Sequence, residues 1–327
     1  MAFRWAIIGS GGITHKFAGA VKGTEDAELY GVLSRDMGRA QAFCEKHGAR
    51  NPFDSLETML GDGQIDAVYV ASPHRFHHEQ ALVCLKAGKA VLCEKPLTVN
   101  AQQASELIET ARAGNVFLME AMWARFLPIY EQIHAWLDGG QLGEVKWVSS
   151  TFGMPAYYRL DPSHRLLNPD LAGGAILDMG IYPIAVTQDV YRRDPVELRA
   201  VGHVVEKGVD LFAGATLDYG DGRAAQFMCT LLTGAVNKMF IHGQDGHIEI
   251  EAPFFGSTKA TLHLRHESHT VTRPFRINGF EYQIEHAMAC IREGRTESDR
   301  MSHSQTLASA RVIDTIRQQI GARYDFE

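Results

Sequence analysis

Short apolar runs without alternation recur through the first 120 or so residues, at 4–8, 28–33, 67–71, 90–93 and 116–119. Runs of this kind fit strands buried on both faces of a parallel sheet. Between them, residues 13–22, 39–47, 77–87 and 101–113 have helical composition and spacing, which supplies the crossovers. The pattern predicts an α/β chain that opens with a doubly wound parallel sheet. From about residue 143 the texture changes to period-two alternation broken by glycine turns, over 143–152, 198–206, 211–219, 223–231, 236–242 and 247–251. Such strands pair antiparallel. Helices are predicted at 126–137, 181–191, 280–292 and 303–320. The second half is therefore expected to be an α+β domain built on a large, mostly antiparallel open sheet.

Length agrees with this division, because 327 residues at roughly 150 per domain make about two domains. We expect residues 1–122 and 123–327 to be those domains, with the last helix able to pack back on the first. A ligand cleft is expected at their junction near Trp123. With 32 Lys and Arg against 39 Asp and Glu, the net charge of −7 offers no field to attract nucleic acid or an anionic membrane. Five scattered cysteines, odd in number and without a C-x-x-C pair, read as buried thiols of a reducing compartment. No apolar run approaches the roughly 18 residues that span a bilayer, so a cytoplasmic protein is expected.

Chemistry enters directly after the first strand, with Gly9-Ser10-Gly11-Gly12-Ile13-Thr14. A glycine turn that opens a helix lets a pyrophosphate approach the backbone and places its charge on free N–H groups, the dinucleotide site of a Rossmann domain. The plain alternative is a structural turn. The second strand ends in Ser34-Arg35-Asp36, with Arg39 one turn later. A carboxylate at that tip suits the ribose hydroxyl of NAD, whereas hydroxyl and guanidinium donors suit the 2'-phosphate of NADP. The tip favours NADP over NAD, with Asp36 more plausibly capping the next helix. At the end of a later strand stands Cys93-Glu94-Lys95-Pro96. A lysine at the carboxyl edge of a parallel sheet is close to the ligand crevice, and burial can pull its pKa down from ~10.4, although a surface charge is the plainer reading. Farther on, Asp178 and Tyr182 are four residues apart in Gly173-Gly174-Ala175-Ile176-Leu177-Asp178-Met179-Gly180-Ile181-Tyr182-Pro183. On one helix they share a face and flank a substrate hydroxyl; otherwise Asp178 is a cap and Tyr182 core. His74, His77 and His78 cluster without any carboxylate at metal spacing, so no metal is expected. Gly-x-Ser-x-Gly is also missing.

Gly9-x-Gly11-Gly12-Ile13, Glu94-Lys95-Pro96 and the Gly-Gly-x-x-x-Asp-x-Gly-x-Tyr stretch, in this order and spacing, resemble the Gfo/Idh/MocA family of nicotinamide-dependent oxidoreductases. Residues 90–96, 117–126 and 177–182 look like the subgroup of dimeric dihydrodiol dehydrogenases and NADP-linked D-xylose dehydrogenases. The resemblance covers essentially the whole chain. It implies that Lys95 and Tyr182 are the catalytic pair with Asp178 their partner; much of the wider family has histidine in place of Tyr182. It further implies that Ser72, Pro73 and His77 line the cofactor loop and Glu94 the nicotinamide ribose. Trp123 and Arg125 would stand at the junction, and Arg165 and Tyr282 would reach the cofactor from the second domain. The Lys95-Pro96 bond matches a position where the family peptide is cis.

These features lead to an NADP-dependent dehydrogenase that exchanges hydride with a CH–OH group of a small sugar or cyclic diol. A dinucleotide-binding regulatory protein of the same fold is the alternative, and a hydrolase or lyase that retains NAD fits less well. The leftover apolar face of the second sheet predicts a homodimer or homotetramer.

Overall fold

The computed structural model describes residues 2–206 and 208–327. It divides into two compact units, one of residues 1–123 and 276–307 and one of residues 124–275 and 308–327.

In the first unit the chain runs β1 (Phe3–Ile8), α1 (Gly12–Gly23), β2 (Ala27–Leu33), α2 (Met37–His47), β3 (Asn51–Phe53), α3 (Leu56–Gly61), β4 (Ala67–Val70), α4 (His77–Lys86), β5 (Ala90–Glu94), α5 (Ala101–Gly114) and β6 (Leu118–Ala121). The strand order is β3-β2-β1-β4-β5-β6, and every pair is parallel. The order reverses between β1 and β4, the switch point beside which open α/β sheets bind ligands. Phe17 fixes α1 on the sheet, its ring stacked on Tyr69 at 3.7 Å and edge-on to Trp5 at 5.4 Å. All three rings are fully buried. The glycine turn that precedes α1 is thus held by the core rather than by a flexible loop. The strand β3 and the helix α3 lie outside the predicted elements. Three residues that include Pro52 carry no periodicity to read.

The second unit contains α6 (Pro128–Asp138), β7 (Val145–Gly153), a π-helical turn at Ile176–Gly180 that leads into α7 (Ile181–Tyr191), and the strands β8 (Glu197–Val204), β9 (Asp210–Gly220), β10 (Arg223–Thr230), β11 (Met239–Gly243), β12 (Gly246–Ile250), β13 (Lys259–Leu264) and β14 (Ser268–Thr272). They form one open sheet, β14-β13-β12-β11-β7-β10-β9-β8. All neighbours are antiparallel except β7 and β10, where the intervening α7, β8 and β9 bring the chain back in the same direction. The expectation that these strands pair antiparallel is corrected at that one place. The pair β13 and β14 also goes beyond the sequence reading, because the residues of β14 are nearly all exposed and give no apolar phase. In α7, Ile181 to Gln188 are all buried, so the helix is core on every side.

The chain then returns to the first unit with α8 (Glu281–Arg292), and the division between units falls within α9 (His303–Ile320). Segment 276–307 is tied to its unit by Leu118 N–H to the Thr296 carbonyl at 3.0 Å, and by His303 Nε2, 3.0 Å from the Leu118 carbonyl. All five cysteines are reduced and buried. Among the described residues no helix is long and apolar enough to cross a membrane, and no group of three or more His, Cys, Asp or Glu is placed to hold a metal.

Candidate functional site

The glycine turn of the first unit is built to be approached. Gly9 has φ +110°, and a Cβ there would stand 2.9 Å from the Ala71 carbonyl oxygen, so only glycine fits. Gly11 and Gly12 face open space, with nothing within 4 Å of an added Cβ. No side chain caps α1, whereas Asp36 caps α2 and Asn100 caps α5. Its first N–H groups, near Ile13, are left with the partial positive charge of a helix start. This combination of a required glycine, an open cradle and uncapped donors fits the pyrophosphate of a dinucleotide.

Next to that turn lies the tip of β2. The Ser10 hydroxyl donates to Ser34 Oγ at 3.3 Å, joining the two loops. Arg35 and Arg39 are exposed. Asp36 Oδ1 accepts the Arg39 N–H at 2.8 Å and so serves its own helix.

Around the end of β5 the side chains are tightly held. Buried Glu94 accepts from the Tyr69 hydroxyl and from its neighbour's N–H, Lys95 N, at 3.3 Å. The Lys95-Pro96 peptide is cis, and Lys95 itself is half-buried. Beyond it, Glu120 accepts the Leu97 N–H at 3.0 Å. His77 is fully buried, with Nε2 2.8 Å from the Ser72 carbonyl and Nδ1 2.9 Å from the Pro96 carbonyl. The ring therefore ties the Ser72-Pro73 loop to the Lys95-Pro96 turn, and any effect of His77 on a ligand passes through that loop. The Ser72 hydroxyl donates to Gln80 Oε1 at 2.7 Å.

Two members of this unit were not foreseen in the sequence. The Lys16 ammonium lies 3.8 Å from the Trp123 ring centre and 4.6 Å from that of Phe280. Burial lowers its pKa, and the opposing charges of Glu94 and Glu281 act to restore it. Glu281, fully buried, gathers the N–H groups of Ile277, Asn278 and Gly279 at 2.7–3.1 Å. Burial alone would push that carboxyl up, but these donors hold it below the ordinary range. A lysine one turn into a helix looks like a solvated charge, so only the fold reveals Lys16. Tyr282, expected from the second domain, stands on α8 of the first unit, its hydroxyl accepting the Arg276 N–H at 3.1 Å.

In the second unit, Asp178 lies in the π-turn and Tyr182 in the first turn of α7. Both are buried, Tyr182 among the rings of Phe152 and Phe255. Arg165 Nη1 donates to Asp178 Oδ1 at 2.9 Å. Gly180 lets this turn lie on β10, for a Cβ there would meet Cys229 Sγ at 3.4 Å and Ile176 Cδ1 at 2.4 Å. Arg125 is buried and paired with Asp189, which also accepts from His134 at 2.7 Å. Burial would raise the Asp189 pKa, but His134 and Arg125 hold it low.

A doubly wound domain with an open glycine turn, joined to an α+β unit carrying a buried carboxylate and phenol, defines a nicotinamide-dinucleotide oxidoreductase. Residues 3–122 match the oxidoreductase family with the NAD-binding Rossmann fold, and residues 130–249 match the GFO/IDH/MocA C-terminal domain. The chain belongs to the Gfo/Idh/MocA family of oxidoreductases. It is 34% identical over 333 residues to trans-1,2-dihydrobenzene-1,2-diol dehydrogenase of Xenopus tropicalis, covering 99% of this chain and all of that one. The human protein of the same name is 31% identical, covering 99% and 98%. Among solved structures, the 3-ketoreductase KijD10 from Actinomadura kijaniata, in complex with NADP and TDP-benzene, superposes with a TM-score of 0.86 at 26% identity, covering 98% of both chains. The aldose-aldose oxidoreductase of Caulobacter crescentus shares the fold, with a TM-score of 0.88 at 24% identity, covering 98% of this chain and 97% of that one.

Proposed function

We propose that this chain is an NADP-dependent dehydrogenase acting on a CH–OH group of a cyclic diol or small sugar. The observation that carries the cofactor preference is the β2 tip. Exposed Arg35 and Arg39 beside Ser34 suit a 2'-phosphate, while Asp36 is taken up as a helix cap. Support for the substrate class comes from the relatives, named as dehydrogenases of trans-1,2-dihydrobenzene-1,2-diol and as a 3-ketoreductase. The residues assigned to the dinucleotide are Gly9, Gly11, Gly12, Ile13, Ser34, Arg35, Arg39, Ser72, Pro73, Glu94, Trp123, Arg125, Arg165 and Tyr282, with His77 holding the Ser72-Pro73 loop. When bound, the dinucleotide supplies hydride exchange at its nicotinamide.

The protein then has to orient the substrate hydroxyl and move one proton. Lys95, Tyr182 and Asp178 carry that work. A phenol with an ordinary pKa of ~10 becomes a useful acceptor at neutral pH only beside positive charge. Lys95 supplies it in this assignment. Ionised Asp178, one turn from Tyr182, would oppose formation of the phenolate, and its pairing with Arg165 offsets that effect.

Replacing Tyr182 with Phe and Lys95 with Met tests the pair. Each should cut kcat at least 100-fold, as expected for a lost general acid–base group, while NADPH titration by fluorescence shows unchanged affinity for Y182F. Full turnover in Y182F would remove the phenol from the mechanism. A panel of trans-diols, aldoses and polyols read with NADP and with NAD names the substrate class, and R35A/R39A should raise the KM for NADP about tenfold with little effect on NAD. A dinucleotide sensor without turnover would be inert across the whole panel.

We further assign residues 1–122 to dinucleotide binding, joined there by Trp123, Arg125, Arg165 and Tyr282, and residues 123–327 otherwise to substrate binding and self-association as a homodimer or homotetramer. Trp147, Met228 and Val201 share one sheet face by strand register and are 43%, 47% and 68% exposed. Apolar groups so displayed are apt to be covered by a second copy, which light scattering would reveal.

A further inference from the structure

One acidic side chain in the second unit has no assigned part, although it stands at the foot of the helix that bears Asp178 and Tyr182. Asp210, the first residue of β9, is fully buried. Its Oδ2 accepts the Ile176 N–H at 2.8 Å, and the Ala175 N–H also bonds the carboxyl. These are the amides that open the π-turn. The approach is possible because residue 174 is glycine: at φ +134° its Cβ would lie 2.2 Å from Asp210 Oδ1. Among the described residues that second oxygen has no side-chain or backbone hydrogen-bond partner.

We propose that Asp210 is a positioning residue: its carboxylate grips the amides that open the π-turn and so fixes where Asp178 and Tyr182 stand. The inference rests on the catalytic roles proposed above for those two residues. An ionised carboxylate bonds amide N–H groups more strongly than a neutral acid and complements the positive end of a helix. Removing its charge loosens the turn without breaking it.

The surroundings make that charge responsive near neutral pH. Burial pushes the carboxyl up to about 7, against the pull of the donated N–H groups and of the Arg317 guanidinium on α9. Arg317 is shared with Glu327, to which it donates at 3.0 Å, and lies 4.6 Å from the Tyr324 ring. Tyr324 faces the same carboxyl from the C-terminal segment and donates to the Gly173 carbonyl; Cys229 faces it from β10. Burial raises both of these groups, and the Asp210 charge raises them further, so they stay neutral and leave Arg317 as the only cation among these neighbours. Asp210 ionises as pH rises through about 7, and the grip tightens on the alkaline side.

The test uses the full chain with D210N, which keeps an acceptor and removes the charge, and D210A, which removes both. Amide hydrogen exchange of peptides spanning 174–182 is read from pH 6 to 9 after correction for intrinsic rates. In the wild type protection should fall at least threefold as pH drops through 7; in D210N it should be independent of pH, and in D210A it should be lost at every pH. Steady-state kinetics should show kcat down tenfold or more in D210A, partly rescued in D210N, with the KM for NADP within twofold of wild type and the acid limb near pH 7 absent from both variants. Wild-type protection in D210A, or an unaltered kcat pH profile in D210N, overturns the proposal. If Y182F proves fully active, the catalytic assignment has failed, and hydrogen exchange still decides whether Asp210 holds the turn.

Discussion

Two glycine turns open helices in this protein, one in each unit, and they solve the same problem in opposite ways. At Gly11 and Gly12 an added Cβ would meet nothing within 4 Å, and among the described residues no side chain caps α1. At Gly173 and Gly174 the space that a Cβ would fill is taken by the protein itself, by the Arg165 and Leu166 backbone at 2.7 Å and by the Asp210 carboxylate at 2.2 Å. The first turn leaves its helix start open, where the dinucleotide proposed above would place an anion. The second fills it with an anion from the chain. A helix start is the same electrostatic object in both places, and whether its anion is a ligand or a side chain decides if the turn binds or braces.

The largest effect should come from adding one methyl group to each turn. Gly174→Ala combines a disfavoured backbone conformation with overlap against Asp210, and should cost about 4–5 kcal/mol in urea unfolding. Gly12→Ala meets nothing, lies in a helical position, and should leave stability within about 1 kcal/mol of wild type. Its cost should appear in binding, with NADPH affinity reduced at least tenfold where the methyl enters the cradle. Equal losses of stability in both variants would dissolve the contrast.

Next in size is a pH effect confined to the braced turn. The folded-state pKa of Asp210, about 7, lies above its ordinary 3.8, so between these values the folded protein retains a proton that the unfolded chain has released. This contribution to stability is complete below about pH 4, falls as pH rises, and is gone above about pH 7. Wild type should thus lose up to roughly 4 kcal/mol relative to D210N over that window, read from urea midpoints, and then run parallel to it. The neutral acid favours the fold, whereas the carboxylate holds the π-turn harder, so stability and positioning oppose each other at this residue. The open turn of α1, with no side-chain carboxylate as its cap, should add no such slope.

The same contrast explains how much could be read in the sequence. The parallel sheet was legible because strands buried on both faces leave unbroken apolar runs, and Gly9-Ser10-Gly11-Gly12 was legible because an open glycine turn carries its whole specification locally. Glu94-Lys95-Pro96 and the Asp178–Tyr182 spacing were singled out by resemblance, and the catalytic roles given to them are those proposed above. A braced turn is different, since half of it lies 34 residues away, where Asp210 bonds Ile176. Asp210 leaves no local trace, because it shares its phase with Phe212, Gly214, Thr216 and Asp218, the more exposed side of β9, and its burial is set only by the fold. Lys16 and Glu120 were silent for a related reason: each is defined by groups far along the chain, Leu97 for Glu120 and Trp123 for Lys16. Glu281 was silent although its donors are local, because backbone N–H groups carry no residue-type signal. β14 escaped because pairing, rather than an apolar face, makes the outer strand.

The smallest effect falls on α2, the helix between these extremes, whose start is filled by a residue from its own turn. Asp36→Ala removes an exposed cap bonded to the Arg39 N–H and should cost about 1 kcal/mol in thermal or urea unfolding. Its sharper use is on the cofactor. If Asp36 acts only on its helix, D36A leaves the ratio of kcat/KM for NADP and NAD within about twofold, because no carboxylate is withdrawn from the ribose. If instead Asp36 served the ribose of NAD, the variant would lose NAD turnover selectively, and a shift of tenfold toward NADP would return this tip to the NAD class.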